Sequence, residues 1–347
     1  MGKYVVKRIG YMLLVLVLLS FLMFMIYSLI PNNRAYTDAK TYITEHKNQI
    51  SHENADKIFQ EKYLEYQRAY GTDTDNKVVR YLRWIGCYPF YDGSYKGLLQ
   101  GNFGYSYDYR DDVINVVKEP MKNTIFINIF ATILALAITI PLGIKCAVNR
   151  GKASDRIVGV VSIIGYSLPT FLIAILFIWL FCSTLGIFPP SGMGTPGNDF
   201  TGFRWFIDRL YFLALPLIVM TFCSLGGMTR YVRASMIEAL SMDCIKTARA
   251  KGLKEKVVVY SHAWRNALIP VVTLVVGWFL SIFSGSLVIE KMFGLNGMGA
   301  LTFQALKNAD FDLVMFVNLF YVALSLLGNL IIDLVYGIVD PRVRVNK

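Results

Sequence analysis

Six stretches of the chain are apolar almost throughout, with polar segments between them. They run from Ile9 to Ile30, Thr124 to Ile144, Ile157 to Leu185, Leu210 to Met228, Ala267 to Ile289 and Leu313 to Ile338. A helix rises about 1.5 Å per residue and the hydrocarbon core of a bilayer is about 30 Å thick, so about 20 apolar residues cross it. Each stretch therefore predicts a membrane-spanning helix. None carries a charge at its middle, and Asp333 lies in the last one close to its end. The first has Lys3, Lys7 and Arg8 ahead of it, as a secretion signal would. Its apolar run is longer than the roughly 7–15 residues of a signal and ends in Pro31-Asn32-Asn33, not in a small-x-small cleavage site, so it reads as a retained span.

The polar segments divide the chain into residues 1–30, a large insert at 31–123, and a five-helix core at 124–347 with a long loop at 229–266. In the insert, Tyr36, Ile43, Ile50 and Ile58 recur at helical spacing, and Val79, Leu82 and Ile85 predict a second short helix. Pro89, Gly93, Gly97, Gly101 and Gly104 then read as loop. Such an insert is either a cap over the membrane core or a lid that touches substrate. The 229–266 loop is too polar to cross a membrane and too short for a domain. Its stretch Ala234 to Leu253 is rich in helix formers and has Gly252 as its one breaker, which predicts a helix, a stop, and a second helix leading into the next span. This loop is either a solvated basic face or a docking surface for a soluble partner. The Gly-rich run Gly294 to Gly299 does not follow a strand, which argues against a phosphate cradle.

Composition agrees with the span count. Hydrophobic residues make up 55% of the chain and charged ones 17%, against about 25% charged in soluble domains. Disorder, a collagen-like chain and a small disulfide scaffold are excluded. Charge then orients the spans. With the N-terminus inside, the inner segments hold 18 of the 35 basic residues and 6 of the 24 acidic ones. The short outer loops hold only Arg204, Arg209, Lys291 and Lys307 as basic residues, so both termini are expected in the cytoplasm. The net charge of +11 is then a topology signal, and nucleic acid is not an expected partner.

Several chemistries are missing. No G-x-x-x-x-G-K-[ST] occurs, so the chain has no P-loop of its own for ATP. His46 and His52 fall outside and His262 inside, and no C-x-x-C or H-E-x-x-H occurs, so no metal site is expected. No mid-span acid or arginine is present to couple an ion gradient or sense voltage. The spans instead carry neutral groups, among them Asn128, Thr132, Thr139, Ser167, Thr170, Ser281, Ser284, Ser286, Asn318, Ser325 and Asn329. Each either bonds a neighbouring helix or lines a path for polar solutes. The energy for such a path must come from elsewhere.

Three runs in the inner loop are distinctive: Arg233-Ala-Ser-Met-Ile-Glu238, Asp243-Cys-Ile-Lys246-Thr247-Ala248-Arg249-Ala250-Lys251-Gly252-Leu253, and His262-Ala-Trp-Arg265-Asn266-Ala-Leu-Ile-Pro270. Together they resemble the "EAA" loop in permease subunits of oligopeptide/dipeptide ABC importers (OppB/DppB type). Lys246-Thr247-Ala248 stands where the wider superfamily has Glu-Ala-Ala, a departure shared by the peptide-importer branch. Other pieces fit in order: Gly101 to Ser106, Arg150 to Asp155, Ser167-Leu-Pro169, Pro189 to Gly192, Ser284 to Glu290, and Asp340-Pro-Arg342. The stretch from about Ala35 to Asp56 is longer than the family pattern.

The resemblance implies an all-α polytopic protein of six transmembrane helices with the type I ABC importer permease fold and a mainly helical extracytoplasmic insert. It implies residence in a bacterial plasma membrane, among lipids, and no catalysis by this chain. The implied partners are a second homologous permease (OppC/DppC type), two cytosolic ATPases (OppD/OppF type) that bind the ATP and magnesium, and an extracytoplasmic binding protein that delivers peptides. The ATPase-coupling residues would be Asp243, Lys246, Thr247, Ala248, Arg249, Ala250, Lys251, Gly252 and Leu253, with Arg265 and Asn266. Arg249 and Lys251 would face acids on the ATPase or simply solvent. The path and gate would draw on Ser167, Pro169, Thr170, Ser284, Ser286, Glu290, Asn318 and Asn329. Pro169 and Pro216 would kink their spans. Glu290 would either touch the binding protein or substrate, or anchor its helix end by pairing with a cation such as Lys291. Related permeases carry nickel chelates, opines or oligosaccharides. A stand-alone carrier and an intramembrane enzyme are the other classes, and the missing mid-span chemistry counts against both.

Overall fold

Backbone polar groups that cross hydrocarbon must be satisfied within their own segment, and in this chain helices do it. The computed structural model of the chain describes residues 2–29, 34–47, 50, 52–198 and 200–339. Among the described residues, four helices are long and apolar enough to cross a membrane: Val5–Tyr27, Val113–Val148, Gly202–Ser241 and Phe311–Leu334. Two bent pairs bring the number to six if each pair is one span. The chain divides into two compact units, Met1–Val117 with Thr302–Ala323, and Lys118–Leu301 with Leu324–Lys347.

The first unit begins with α1 (Gly2–Tyr27), whose Val6, Leu13 and Leu22 are more than half exposed, as a lipid-facing helix requires. The predicted helical insert is two helices, α2 (Arg34–Glu45) and α3 (His52–Ala69), which pack on each other. Their contact is aromatic, with the Tyr36 ring 5.3 Å from that of Phe59. The second predicted helix is α4 (Lys77–Ile85). It starts because the Asn76 side chain accepts from the N–H groups of Val78 (3.0 Å) and Val79 (3.3 Å). Gly86 stops it at φ 96°, with its N–H donating back to Leu82 O. Tyr81 fixes α4 to α1: its ring is buried against Phe21 and Phe24, and its hydroxyl lies 2.8 Å from that of Ser20. A short hairpin, β1 (Tyr105–Ser106) and β2 (Asp111–Asp112), precedes the next helix.

The second unit holds most of α5 (Val113–Val148) and then α6 (Ala153–Ser167). The third predicted span, Ile157 to Leu185, is not one helix. Leu168 is extended (φ −79°, ψ 139°) because the ring of Pro169 excludes the helical region for the residue before it. The chain turns by 109° into α7 (Thr170–Phe177), which continues as a π-helical turn from Ile178 to Thr184. Next comes α8 (Gly202–Ser241), 40 residues long, with Pro216 buried inside it. It packs on α6 at van der Waals limits. A Cβ on Gly226 would lie 2.4 Å from Tyr166 Cβ, and one on Gly165 would lie 2.6 Å from Phe222 O. Small residues let the two backbones approach.

The expected single helix from Ala234 to Leu253 is interrupted. Helix α8 runs to Ser241, whose hydroxyl donates to Glu238 O at 2.7 Å, and Met242 turns extended (ψ 148°). Helix α9 (Asp243–Ala250) follows, then the short α10 (Glu255–Val257), a π turn from Val258 to Ala263, and α11 (Trp264–Ser281). The α10–α11 run bends by 56° at Pro270 and ends at Ser281, short of the expected Ile289. Glu290 therefore sits on a separate helix, α12 (Leu287–Met292). Helices α13 (Met298–Lys307) and α14 (Phe311–Val339) are the last elements among the described residues.

Candidate functional site

The loop that resembles a coupling element has a definite inner and outer face. On α9, Ile245 (0% exposed) and Ala248 (6%) are three residues apart and share one face. They join a buried cluster with Val258, Val259 and Ala263 of the π turn. The expected contact residues Asp243, Lys246, Thr247, Arg249, Ala250, Lys251, Gly252, Leu253 and Arg265 are exposed, and Asn266 is half-buried. Ala248 is the exception, since it faces inward and seats the helix. Gly252 ends α9 at φ +76°, with its N–H on Arg249 O (2.9 Å), a turn that side-chain-bearing residues resist. Arg249 already has a partner: Nε and Nη2 donate to the two Glu255 oxygens at 3.2 and 2.7 Å. The guanidinium thus closes the α9–α10 turn. Bonding to the Glu255 carboxylate raises its pKa.

The start of this loop holds one end of an ion pair whose two partners the sequence did not join. Arg233 on α8 donates to both oxygens of Asp155 on α6, at 2.6 and 2.8 Å, and the Gly151 N–H adds a third bond at 2.9 Å. Asp155 is 8% exposed and Arg233 34%. Their exposures make a prediction. Arg233→Ala strands a carboxylate that is nearly out of water and is expected to cost about 3 kcal/mol. Asp155→Ala leaves a guanidinium that reaches solvent and is expected to cost about 1–2 kcal/mol. Thermal unfolding of the two solubilised variants checks the order, and an equal or reversed loss would refute it.

A second constellation surrounds Glu290, which is 4% exposed. Its oxygens accept from the backbone N–H of Ser286 (3.2 Å) and Ala300 (2.6 Å), and from the Thr124 hydroxyl on α5 (3.4 Å). That hydroxyl in turn accepts from Met298 N–H at 2.8 Å. Asn128, one turn along α5, donates to Ile282 O and Ser284 O, both at 2.9 Å. Burial pushes the Glu290 carboxyl upward, against the pull of the N–H donors. Three glycines make the space. A Cβ on Gly297 would meet the carboxylate carbon at 2.4 Å, one on Gly285 would meet Gly299 N at 2.0 Å, and one on Gly299 would meet Leu287 N at 2.6 Å. The bonds to Glu290 run from backbone and hydroxyl groups.

The remaining path residues separate. Ser284 and Ser286 belong to the Glu290 turn. Ser167, Pro169 and Thr170 form the 109° bend, and α7 beyond it packs on α12 through Ile173, Ala174, Ile289 and Phe293. Asn329 is exposed in the second unit. Asn318 belongs to the first unit and donates to Tyr27 Oη (3.2 Å) and Val314 O (2.8 Å), so it bonds a neighbouring helix. Thr124 lay unremarked in the sequence. Its signal was the spacing to Asn128, four residues on, which puts both on one face of α5.

Comparison with known proteins matches this sequence to a family. A family model described as binding-protein-dependent transport system inner membrane component covers residues 139–345. The chain belongs to that family. It is 34% identical over 289 residues to the oligopeptide transport system permease protein AppB of Bacillus subtilis, covering 83% of this chain and 87% of that one. It is 31% identical to the dipeptide transport system permease protein DppB of Lactococcus lactis over 99% of this chain and all of the relative, a match that takes in the long 31–123 segment. A chain from inward-facing structures of the MetNI methionine ABC transporter has a TM-score of 0.48 at 15% identity, covering 64% of this chain and 97% of that one.

Proposed function

We propose that this chain is the permease subunit of an ATP-driven importer that takes up oligopeptides or dipeptides. Family membership, carried by the match over 139–345, supports the importer, and the names of the relatives support the peptide. In this reading α9 is the element that couples the chain to its motor. Ile245 and Ala248 seat it against the membrane core, while Lys246, Ala250, Lys251 and Leu253 face outward to an ATPase. A seated helix passes on a rigid-body displacement that a loose loop would absorb. A second homologous permease completes the path, two cytosolic ATPases hold ATP and magnesium, and an extracytoplasmic binding protein delivers the peptide. The 31–123 segment faces that binding protein, both termini lie in the cytoplasm, and the chain itself catalyses no reaction.

The test is recovery of the tagged chain from its native membrane, followed by mass spectrometry. A second permease and P-loop ATPases are expected to come with it. Gly252→Pro removes the positive-φ turn, and Arg249→Glu sets a second carboxylate beside Glu255, so both are expected to reduce the ATPases recovered. A chain that emerges alone or as a homo-oligomer, indifferent to both changes, would overturn the importer reading.

A further inference from the structure

Residues between Arg34 and Asp112 form most of a partly open cavity that coupling and anchoring leave unused. It has a volume of about 260 Å³ and lies wholly within the first unit, from Phe24 near the end of α1 to Phe311 at the start of α14. Tyr70, Trp84, Phe90 and Tyr105 give it aromatic walls. Four cations line it, Arg34, Arg80, Arg83 and Lys96, against the acids Asp112 and Asp312.

Three of the cations are engaged. The guanidinium of Arg34 lies 3.6 Å from the centre of the Tyr70 ring and 3.8 Å from that of Tyr107, and it faces Asp312 at 3.5 Å. Arg83 pairs with Asp73 and donates to Pro89 O at 3.1 Å. Lys96 pairs with Asp92 at 2.9 Å. The acids offer Arg80 little. Asp312 also accepts from Tyr105 N–H at 3.1 Å, and Asp112 is exposed on β2. Among the described residues no carboxylate lies within 4 Å of the half-buried Arg80. Asp75 acts on it only at a distance, while burial lowers its pKa.

A guanidinium held partly out of water without a counter-ion is unfavourable, and its planar fork matches a carboxylate in two parallel bonds. The aromatic walls suit an apolar or aromatic body attached to that carboxylate. The volume, just under the range of roughly 300–1,000 Å³ for small-molecule sites, has room for a body of one or two residues. We propose that this cavity binds a carboxylate carried on a short apolar or aromatic body, with Arg80 taking the carboxylate and Trp84 and Phe90 the body. Two sources supply that chemistry: the C-terminus of a peptide, or an acidic side chain presented by a docked protein. The assignment stands on the cavity alone and does not depend on the importer reading.

The full chain in lipid nanodiscs is titrated calorimetrically with N-acetyl-alanyl-phenylalanine, with its C-terminal amide, and with N-acetyl-aspartyl-phenylalanine amide. The free acid is expected to bind at least about tenfold more tightly than the first amide, the scale of a charge-assisted bond. Arg80→Gln is expected to abolish that preference and Arg80→Lys to keep part of it. Binding is expected to change tryptophan emission, and Trp84→Phe to remove the change. If the aspartyl amide binds as well as the free acid, the site takes a side-chain carboxylate; if it binds like the plain amide, the site takes a chain terminus. Equal binding of acid and amide by the unaltered chain would overturn the proposal, and so would a preference that survives Arg80→Gln. Should Arg80→Gln not fold, the acid–amide comparison on the unaltered chain decides.

Discussion

Ile245→Asp is expected to abolish peptide uptake by the assembled importer while the chain still inserts into the membrane. Helix α9 has eight residues, too few to hold a helix alone in water. What keeps it helical is its buried face, where Ile245 is fully covered and belongs to one cluster with Val258 and Val259. A carboxylate there must be hydrated, and burying it instead costs several kcal/mol. Each 1.4 kcal/mol is about a factor of ten, so α9 would stay seated in under about a tenth of the molecules. Ile245→Val trims a single methylene at about 1 kcal/mol and is expected to leave most uptake intact. Lys246→Ala, on the exposed face, leaves the seating untouched. Uptake of a labelled peptide into proteoliposomes holding the whole complex measures all three. Full uptake by Ile245→Asp would show that the seating of α9 is not needed.

The second large effect is expected at Gly285. Its substitution by alanine places a methyl group 2.0 Å from the amide nitrogen of Gly299, which is backbone and cannot swing away. The turn that delivers Ser286 N–H and Ala300 N–H to Glu290 then cannot close. Glu290→Ala breaks the same knot from its centre, leaving those donors and the Thr124 hydroxyl without their acceptor, at about 1–3 kcal/mol for each group that stays buried. Gly285→Ala should cost at least as much. The two changes should combine to less than their sum, because both open one structure. Gly277→Ala is the control: a Cβ there meets nothing within 4 Å, and alanine favours helix by about 1 kcal/mol. Melting temperatures and amide exchange over 284–300 report the difference. An unchanged melt for Gly285→Ala would refute the constriction.

Much of this was legible before any coordinates. The apolar runs located the spans, Val79, Leu82 and Ile85 marked α4, and Gly252 marked the end of α9, because each signal lies within a few residues of its effect. The break at Pro169 was legible too, since proline constrains its predecessor locally, although a single long span was expected there. What escaped the sequence was long-range. Thr124 and Glu290 are 166 positions apart, and Asp155 and Arg233 are 78 apart. Neither partner's residue type names the other. Arg249 looked available to a partner protein because Glu255, six positions on, reaches it only across the turn that Gly252 permits. The lone charge of Arg80 is likewise visible only once its neighbours are seen to have paired among themselves.

The close approach of α6 and α8 has a mechanical consequence. Forty residues at about 1.5 Å each make α8 a rod of about 60 Å. Gly165 and Gly226 bring the middle of this rod against α6, and the bidentate grip of Arg233 on Asp155 bolts the two near the end that leads to α9. Torque applied at α9 passes through the single extended residue Met242 into the segment of α8 that α6 doubles. The doubled segment moves as one body, so a displacement at its foot carries α6 with it.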